Sequence, residues 1–402
     1  MFFKDVVWTP DDPILGLFDI FKKDPRQDKV NLIVGVYKDA EGNTPILESV
    51  KLAEKYLFEN EKSKAYLGIS GSVEYCELVK RLVLGNDHDL IKEGCVEAIQ
   101  TPGGSGALRL AADFLYENNP KAKIHLSDPT WDNHANVFHH AGLEIAYYPY
   151  YDTETKGIKF DELISYLKKV PNGDVVLFHA CCHNPTGTDL NEEQWKEISR
   201  LSSKKKFLVF FDFAYQGMGD SMEEDSFAIR IFAEENRAFM AAYSCSKNFA
   251  IYNERTGALV ISAEKPEHAR NVMSQLKLCA RGNYSNPPSH GAAVVTTVLK
   301  IPEIRSLWKQ ELIAMCGRIK TYRQIFVDTL KNYGSKRDFS FITKQKGMFS
   351  YSSLSHEQVM KLREDYGVYM LLSGRINIAS LNHHNLDRVC TSIVDVLSDG
   401  EG

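Results

Sequence analysis

The sequence predicts an α/β fold with a large domain, in which helices cover a mainly parallel seven-stranded sheet, and a smaller α+β domain. Two observations predict the large domain: seven short apolar runs recur between residues 95 and 262, and amphipathic stretches separate them. Strands that are apolar along their whole length are buried on both faces, and their alternation with helices favours a parallel sheet. The third observation is a change of pattern after Pro287 and Pro288, which predicts a second unit.

The seven predicted strands of the sheet are short and apolar. They are VEAIQT (96–101), KIHLSD (123–128), EIAYYPYY (144–151), DVVLFHA (174–180), FLVFFDFAY (207–215), AFMAAYS (238–244) and GALVIS (257–262). Among the stretches between them, residues 191–206 are typical of a helix, because acids occupy the first turn and lysines occupy the last. That order of charges suits the helix dipole.

The second unit has fewer predicted strands, which indicates α+β character. Its predicted elements are a helix from Pro302 to about Asn332, strand, turn and strand within 339–353, a helix over 356–366, strands in 367–373 and 375–380, and a last helix near 384–398.

Charge and hydropathy exclude two classes of partner. The chain has 48 basic and 53 acidic residues, and a net charge of −5 offers no overall electrostatic footprint for nucleic acid. The apolar stretches fall far short of the ~20 residues that a membrane helix needs. Lys4 and Asp5 interrupt any hydrophobic run at the N-terminus. We therefore expect no nucleic-acid partner, no membrane segment and no secretory signal.

The eight cysteines favour a reducing compartment. None forms a Cys-x-x-Cys pair, and the adjacent Cys181 and Cys182 suit neither a zinc site nor an ordinary disulfide. We expect buried, reduced thiols in a cytoplasmic protein, and we predict no metal site.

A glycine-rich turn follows the first predicted strand. Gly103, Gly104 and Gly106 allow the backbone to approach a ligand closely, and the helix that follows offers free N–H groups to an anion. The spacing G-G-x-G differs from the G-x-G-x-x-G of dinucleotide sites. Taken alone, the turn is compatible with a phosphate site or with a simple tight turn.

Two further strands end on residues that can carry chemistry. Asp212 and Tyr215 end one apolar strand, where α/β sheets place ligands, although Asp212 could instead cap a helix. Lys247 follows another strand beside two serines, with Arg255 eight residues on. Such a lysine could form a Schiff base to a phosphorylated aldehyde cofactor, and the alternative is an ordinary surface lysine.

An asparagine and two arginines stand in turn-rich contexts. Asn184 could donate a hydrogen bond to a ligand oxygen. Arg375 lies in an apolar stretch, so we expect it to meet a carboxylate of the protein or of a substrate. Arg281, considered alone, is typical of an exposed loop.

These residues occur in an order that resembles the aspartate aminotransferases, class I aminotransferases within the fold-type-I pyridoxal-phosphate enzymes. The matching stretches run almost end to end and are DPILGL, NLIVGVYKD, AYLGISG, TPGGSGALR, DPTWDNH, CCHNPTG, DFAYQG, SKNFAIYNER, NYSNPP, GMFSY and SGRIN. The resemblance implies an N-terminal arm and small-domain segment over residues 1–38, a large pyridoxal-phosphate-binding domain over 39–300 and a small C-terminal domain over 301–402.

The resemblance implies roles for the residues at the strand ends. Lys247 matches the Schiff-base lysine, which also moves the α-proton of the substrate. Asp212 matches the carboxylate that pairs with the pyridine nitrogen, and His134 resembles the residue that supports it. Tyr215 matches the phenol that binds the 3′ oxygen of the cofactor, and Asn184 resembles its partner there.

The resemblance also implies how phosphate and substrate are bound. Trp131 matches the indole that stacks on the cofactor ring and, like Asn184, lies beside the substrate. The implied phosphate contacts are Gly104, Ser105, Ser244, Ser246, Arg255 and, from the neighbouring subunit of a homodimer, Tyr66. Arg375 resembles the clamp for the α-carboxylate, and Gly35 lies in the segment that closes over it. Arg281 resembles the clamp for the distal carboxylate, donated across the dimer interface.

The implied reaction is a ping-pong transfer of the amino group between L-aspartate and 2-oxoglutarate, giving oxaloacetate and L-glutamate. The substrates are thus dicarboxylic amino acids and 2-oxo acids. An aromatic-amino-acid aminotransferase on the same scaffold is the alternative. Four positions look like the aspartate type (Val36, Lys38, Thr44 and Asn286), Ser105 looks like the aromatic type, and Ala65 matches neither.

Overall fold

The strands of the protein form one large sheet and two small ones. A computed structural model of the chain describes residues 2–9 and 13–398. Its strands are β1 (Val30–Asn31), β2 (Val96–Pro102), β3 (Lys123–Asp128), β4 (Glu144–Pro149), β5 (Val175–His179), β6 (Leu208–Phe213), β7 (Phe239–Ser244), β8 (Thr256–Ser262), β9 (Phe349–Tyr351), β10 (Val368–Tyr369) and β11 (Arg375–Asn377). Strands β2 to β8 coincide with the seven apolar runs, so this prediction is confirmed.

Helices surround the sheets. They are α1 (Pro13–Lys23), α2 (Glu48–Asn60), α3 (Val73–Leu84), α4 (Asp89–Lys92), α5 (Gly103–Asn118), α6 (Asn133–His140), α7 (Phe160–Leu167), α8 (Glu192–Lys205), α9 (Phe227–Glu235), α10 (Pro266–Asn283), α11 (His290–Lys300), α12 (Pro302–Asn332), α13 (His356–Tyr366) and α14 (Leu386–Ser398). Short 3₁₀ helices occupy Glu224–Ser226, Tyr252–Glu254, Ser340–Lys344 and Ile378–Ser380. Helix α8 begins with a capping box between Asn191 and Gln194, which confirms the predicted helix there.

The large sheet is mainly parallel, as predicted. Its strand order is β2-β8-β7-β6-β5-β3-β4, and only β8 runs antiparallel to its neighbours. Side chains on both faces are buried: Phe211 packs in one apolar core and Phe210 packs in another. Because β8 runs the opposite way, its amino end lies at the same edge as the carboxyl ends of the other strands.

The N-terminal segment joins the C-terminal part of the chain. Strand β1 pairs in parallel with β10, and β9 pairs antiparallel with β11. Helix α12 connects this part to the large sheet, since Trp308 donates to the carbonyl of Asn248 while Arg323 contacts the segment around β9. The smaller α+β unit is thereby confirmed. The domain boundaries at 38/39 and 300/301 stay predictions, and residues 1, 10–12 and 399–402 of that division lie outside the described residues.

One predicted strand is wrong. The first half of residues 339–353 forms the 3₁₀ helix Ser340–Lys344, and only Phe349–Tyr351 is a strand. The cause is tertiary: the buried guanidinium of Arg323 donates to the carbonyls of Ile342, Gly347 and Phe349. A chain that curls around one cation satisfies these carbonyls without a partner strand.

The other elements of the smaller unit follow the prediction more closely. Helices α12, α13 and α14 lie where they were predicted. The strands predicted in 367–373 and 375–380 are shorter than expected, since β10 has two residues and β11 gives way to the 3₁₀ helix Ile378–Ser380.

The prediction of buried thiols is met by the fold. All eight cysteines are buried and unpaired, as expected for reduced thiols. Within residues 2–9 and 13–398, every helix is too short or too polar to span a bilayer.

The close contact between β8 and the start of α5 yields a stability prediction. A Cβ at Gly257 would lie 2.5 Å from the carbonyl carbon of Gly103 and 2.7 Å from the carbonyl oxygen of Tyr243. Because both atoms belong to the backbone, Gly257→Ala should destabilise the protein by about 1–3 kcal/mol. The measurement is the melting temperature. Gly317→Ala is the matched control, since nothing lies within 4 Å of a Cβ there, and equal melting temperatures for the two variants would contradict the prediction.

Candidate active site

One edge of the large sheet collects the candidate residues. Strand β5 ends there at His179 and β7 ends at Ser244. Strand β6 ends at Phe213, one residue after Asp212. His179 lies directly opposite Asp212 in the register of β5 and β6. The glycine turn after β2 and Arg255 before β8 reach the same edge. The sheet therefore brings together residues that are far apart in the chain, as the parallel pattern predicts.

Asp212 is a buried carboxylate with a hydrogen-bonded histidine. Nε2 of His134 lies 3.1 Å from Oδ2 of Asp212, and Nδ1 of His134 lies 2.8 Å from the Thr130 hydroxyl. If the hydroxyl donates to Nδ1, the histidine donates to the carboxylate from Nε2. Burial alone would raise the pKa of Asp212, but this hydrogen bond and the nearby charge of Lys247 hold the pKa below its usual value. The carboxylate therefore stays ionised, and the alternative role of helix cap is wrong.

His179 is a second buried histidine beside Asp212. Its Nε2 lies 4.0 Å from Oδ2 of Asp212, and neither ring nitrogen has a hydrogen-bond partner among the described residues. Burial lowers the pKa of His179 to about 3, so the ring is neutral at physiological pH. His179 is not among the candidate residues predicted from the sequence. The signal was present, because His179 ends an apolar strand just as Asp212 does.

Lys247 lies over the ring of Tyr215. Its Nζ is 4.6 Å from the ring centroid, and its side chain is largely buried. Burial, together with the nearby cations Arg255 and Arg375, lowers the pKa of Lys247 to about 8, against the opposing attraction of Asp212. About one amine in ten is then uncharged at pH 7, far more than for an ordinary lysine. The surface-lysine alternative is wrong.

Tyr215 is buried with its phenol near two charged groups. Burial raises the pKa of the Tyr215 hydroxyl well above its usual value, although the positive charge of Arg375 acts in the opposite direction. The phenol is therefore a neutral hydrogen-bond donor. The edge of its ring packs against Phe349, with centroids 6.2 Å apart.

The glycine turn and Arg255 form a cradle at the start of α5. A Cβ at Gly103 would lie 2.5 Å from a guanidinium nitrogen of Arg255, and one at Gly104 would lie 3.0 Å from Cβ of Ser244. Ser244 and Ser246 are both buried, and the Ser244 hydroxyl accepts the backbone N–H of Ser246. Unpaired N–H groups of a helix start, hydroxyls and a guanidinium together suit an anion such as phosphate.

Ser105 and Trp131 border the same edge. Ser105 lies in the first turn of α5 and is partly buried. The indole of Trp131 packs edge-on against His134, with ring centroids 5.3 Å apart.

Arg375 is buried between the large sheet and the N-terminal segment. It donates to Oδ1 of Asn184 at 3.1 Å and to the carbonyl of Ile33 at 2.8 Å. Its guanidinium carbon lies 4.1 Å from the ring centroid of Phe349. A Cβ at Gly35 would lie 2.6 Å from that same ring. Phe349 thus touches the residues expected at the substrate carboxylate, and our selection of candidate residues had missed it.

Tyr66 and Arg281 stand apart from the buried residues. Tyr66 is 93% exposed, and the exposed Arg281 hydrogen-bonds to Ser285 on its own helix end. The two segments meet, since Asn286 donates to the carbonyl of Leu67. Among the described residues, neither side chain is held against the buried cluster, so a single chain leaves both on its surface.

Comparison with known proteins identifies the family. Residues 27–393 match the model of aminotransferase class I and II. An aspartate aminotransferase of Escherichia coli is 50% identical over 395 residues, 98% of this chain and 100% of that protein. An aromatic-amino-acid aminotransferase of Pseudomonas aeruginosa is 45% identical over 99% of each chain. The aromatic-amino-acid aminotransferase structure from Burkholderia pseudomallei, covalently bound to pyridoxal phosphate, has a TM-score of 0.96 and 47% identity over 99% of this chain and 100% of that one. The chain belongs to the class I and II aminotransferases.

Proposed function

We propose that this chain is an aspartate aminotransferase that uses pyridoxal phosphate to move an amino group between L-aspartate and 2-oxoglutarate. One observation carries the proposal: the largely buried amine of Lys247, with its pKa lowered to about 8, lies 4.6 Å over the Tyr215 ring and is attracted by the buried carboxylate of Asp212. The 50% identity to an aspartate aminotransferase over the whole chain supports it.

The residues of the site fit pyridoxal phosphate. Lys247 offers an amine to the aldehyde, and Asp212 offers a charge to the pyridine nitrogen. Gly104, Ser105, Ser244, Ser246 and Arg255 offer donors to the phosphate, and a Cβ at Gly103 or Gly104 would crowd Arg255 or Ser244. When bound, the cofactor supplies an aldehyde carbon for amine exchange and a ring that accepts electron density from the substrate α-carbon.

Lys247 is the proposed acid and base. A pKa of about 8 lets the same amine accept a proton from the substrate α-carbon and return it near neutral pH. The opposing influences of burial and of Asp212 set that value, so the proton-transfer group is tuned by its surroundings.

Asp212 and His134 are the proposed electrostatic pair. An ionised carboxylate opposite the pyridine nitrogen favours the protonated ring, and the hydrogen bond from His134 keeps the carboxylate oriented. The neutral phenol of Tyr215 can donate to the ring oxygen, with Asn184 beside it. Trp131 lies where its indole can cover the ring.

Arg375 is the proposed clamp for the α-carboxylate. Its guanidinium is fixed by Asn184, by the carbonyl of Ile33 and by the ring of Phe349, so little conformational entropy is lost when a carboxylate binds. The segment around Gly35 packs on Phe349 and would close over the substrate.

Binding of the distal carboxylate of the substrate is proposed to require a dimer. Tyr66 and Arg281 are exposed in one chain, and Phe58 on α2 is exposed as well, at 91%. Large exposed apolar side chains of this kind are typical of protein interfaces. We therefore propose a homodimer in which Tyr66 and Arg281 complete the partner's site, and we place the protein in the cytoplasm, where its unpaired thiols stay reduced.

An aromatic-amino-acid aminotransferase is the second candidate. It is favoured by the 45% identity to such an enzyme of Pseudomonas aeruginosa and by the solved relative from Burkholderia pseudomallei. Ser105, which looks like the aromatic type, points the same way.

The pKa of Lys247 gives a pH prediction. In cofactor-free protein, labelling of Lys247 by an amine-specific reagent should reach half its maximal rate near pH 8, because only the neutral amine reacts and burial lowers the pKa. Mass spectrometry of the labelled peptide measures this. Asp212→Asn should move the midpoint to lower pH and Arg255→Gln to higher pH. A wild-type midpoint near pH 10, the value of an ordinary lysine, would contradict the prediction.

The choice between the two candidate substrates gives a kinetic prediction. We expect kcat/KM for aspartate to exceed that for tyrosine, and aspartate alone should convert the cofactor to its aminated form, seen as a change in visible absorbance. A higher kcat/KM for tyrosine would favour the aromatic candidate. No absorbance change with any dicarboxylic amino acid would contradict both the substrate and the proposed chemistry.

The proposed role of Arg281 gives a specificity prediction. Arg281→Asp should lower kcat/KM for aspartate by about a hundredfold or more, because a carboxylate would meet a like charge. The kcat/KM for alanine, which has no distal carboxylate, should change little. Arg270→Asp is the control on the same helix. Equal losses for aspartate and alanine would show that Arg281 has a different role.

A further inference from the structure

A second cavity lies outside the candidate active site. It has a volume of about 540 Å³ and is bounded by α3, by α12 and by residues 216–223. No residue that we assign to the cofactor or the substrate lines it. The volume falls within the range of small-molecule sites, roughly 300–1,000 Å³.

Part of the wall of the cavity is apolar. Leu78 and Leu82 of α3 face Trp308 and Leu312 of α12 across it. The indole of Trp308 donates to the carbonyl of Asn248 at 2.7 Å and stacks on another aromatic ring 4.5 Å away. Because Trp308 is only 1% exposed, its ring closes the bottom of the cavity, and an apolar ligand would instead meet the partly exposed side chains of Leu78 and Leu82.

The acidic side chains at the cavity already have cationic partners. Asp220 forms ion pairs with Lys320, at 2.8 Å, and with Lys346. Glu223 is paired with Arg230. Neither carboxylate therefore leaves an uncompensated negative charge for a ligand.

Three other cations at the cavity have no such partner. Arg81, Arg305 and Lys309 line it, and none forms an ion pair within the described part of the chain. Nε of Arg305 is also buried and donates to no atom of the described residues. A ligand cannot reach that nitrogen, but Arg305 as a whole is only partly buried, and Arg81 and Lys309 are exposed, so a carboxylate can meet these charged side chains from the cavity.

We propose that this cavity binds a small organic anion, namely a carboxylate attached to an apolar body. The carboxylate would meet Arg305 and Lys309, which are one helical turn apart on α12. The apolar body would lie against Leu78 and Leu82 of α3 and against Ile313 of α12, all of which have exposed surface. The site is independent of the substrate clamp at Arg375, so both can be occupied at once.

The test uses the cofactor-loaded enzyme and the fluorescent anion 8-anilinonaphthalene-1-sulfonate, with saturating succinate to occupy the substrate site. We expect one saturable probe site per chain. Arg305→Met and Lys309→Met should each weaken probe binding by about fivefold to tenfold, because charge-assisted contacts are lost. Lys331→Met, an exposed lysine of the same helix, is the matched control and should change nothing.

A second pair of variants separates loss of the site from loss of the fold. Gly317 lines the cavity on α12, and nothing lies within 4 Å of a Cβ there. Gly317→Trp should abolish probe binding, whereas Gly317→Ala should retain it. Neither should lower the melting temperature, because glycine is a poor residue inside a helix. Probe binding that survives Gly317→Trp and both charge variants would overturn the proposal.

Displacement of the probe identifies the body of the ligand. Octanoate tests a flexible aliphatic chain, and 3-phenylpropionate tests an aromatic ring. Displacement of the probe by one of these two anions, and the loss of that displacement in Arg305→Met, supports the proposal. The anion that displaces the probe shows whether the apolar body is aliphatic or aromatic. Failure of both to displace the probe would overturn it.

Discussion

Asp212 carries a negative charge in a site from which water is largely excluded, and the neighbouring groups stabilise that charge. An isolated buried carboxylate would take up a proton. Here the ring of His134 lies within hydrogen-bond distance, its other nitrogen is held by Thr130, and the amine of Lys247 adds attraction. The same carboxylate raises the affinity of Lys247 for its proton while burial lowers it. Asp212 and Lys247 therefore influence each other's pKa, and a substitution of one changes the pKa of the other.

The sheet makes this pairing possible. Asp212 and Lys247 are 35 positions apart, yet β6 and β7 are parallel neighbours and deliver both to one edge. The reversed direction of β8 brings Arg255 to that edge from the other side, where its guanidinium packs on Gly103. Gly257, opposite Ser244 in the register, allows the start of α5 to approach. The anion cradle thus depends on one antiparallel strand in a mainly parallel sheet and on the absence of side chains at Gly103, Gly104 and Gly257.

Most of the sheet could be predicted because its signal is local. Seven uniformly apolar runs of six to nine residues can be recognised without knowledge of their partner strands, and the end of each run locates candidates such as Asp212. The 3₁₀ helix Ser340–Lys344 could not be predicted in this way, since its conformation depends on the buried Arg323 on another helix. Phe349 was missed for the same reason: it becomes part of the site only because Gly35 and Arg375 fold against its ring. His179, by contrast, could have been predicted from the sequence, because it ends an apolar strand just as Asp212 does.

Arg375 connects the two parts of the molecule at the point where a substrate would bind. Its strand β11 belongs to the smaller unit, one hydrogen bond reaches Asn184 at the large sheet, and another reaches Ile33 in the N-terminal segment. A movement of either part relative to the other would shift the guanidinium. Its planar donors serve a carboxylate well only when their direction is fixed, so the geometry of the proposed clamp depends on how the units pack. Arg281 is exposed in one chain, where its hydrogen bond goes to Ser285 near the end of its own helix and not to the buried cluster. In the proposed dimer, a dicarboxylate would bind between Arg375, which the fold of one chain fixes, and Arg281, which the partner chain would position. The preference for aspartate would then depend on dimer formation.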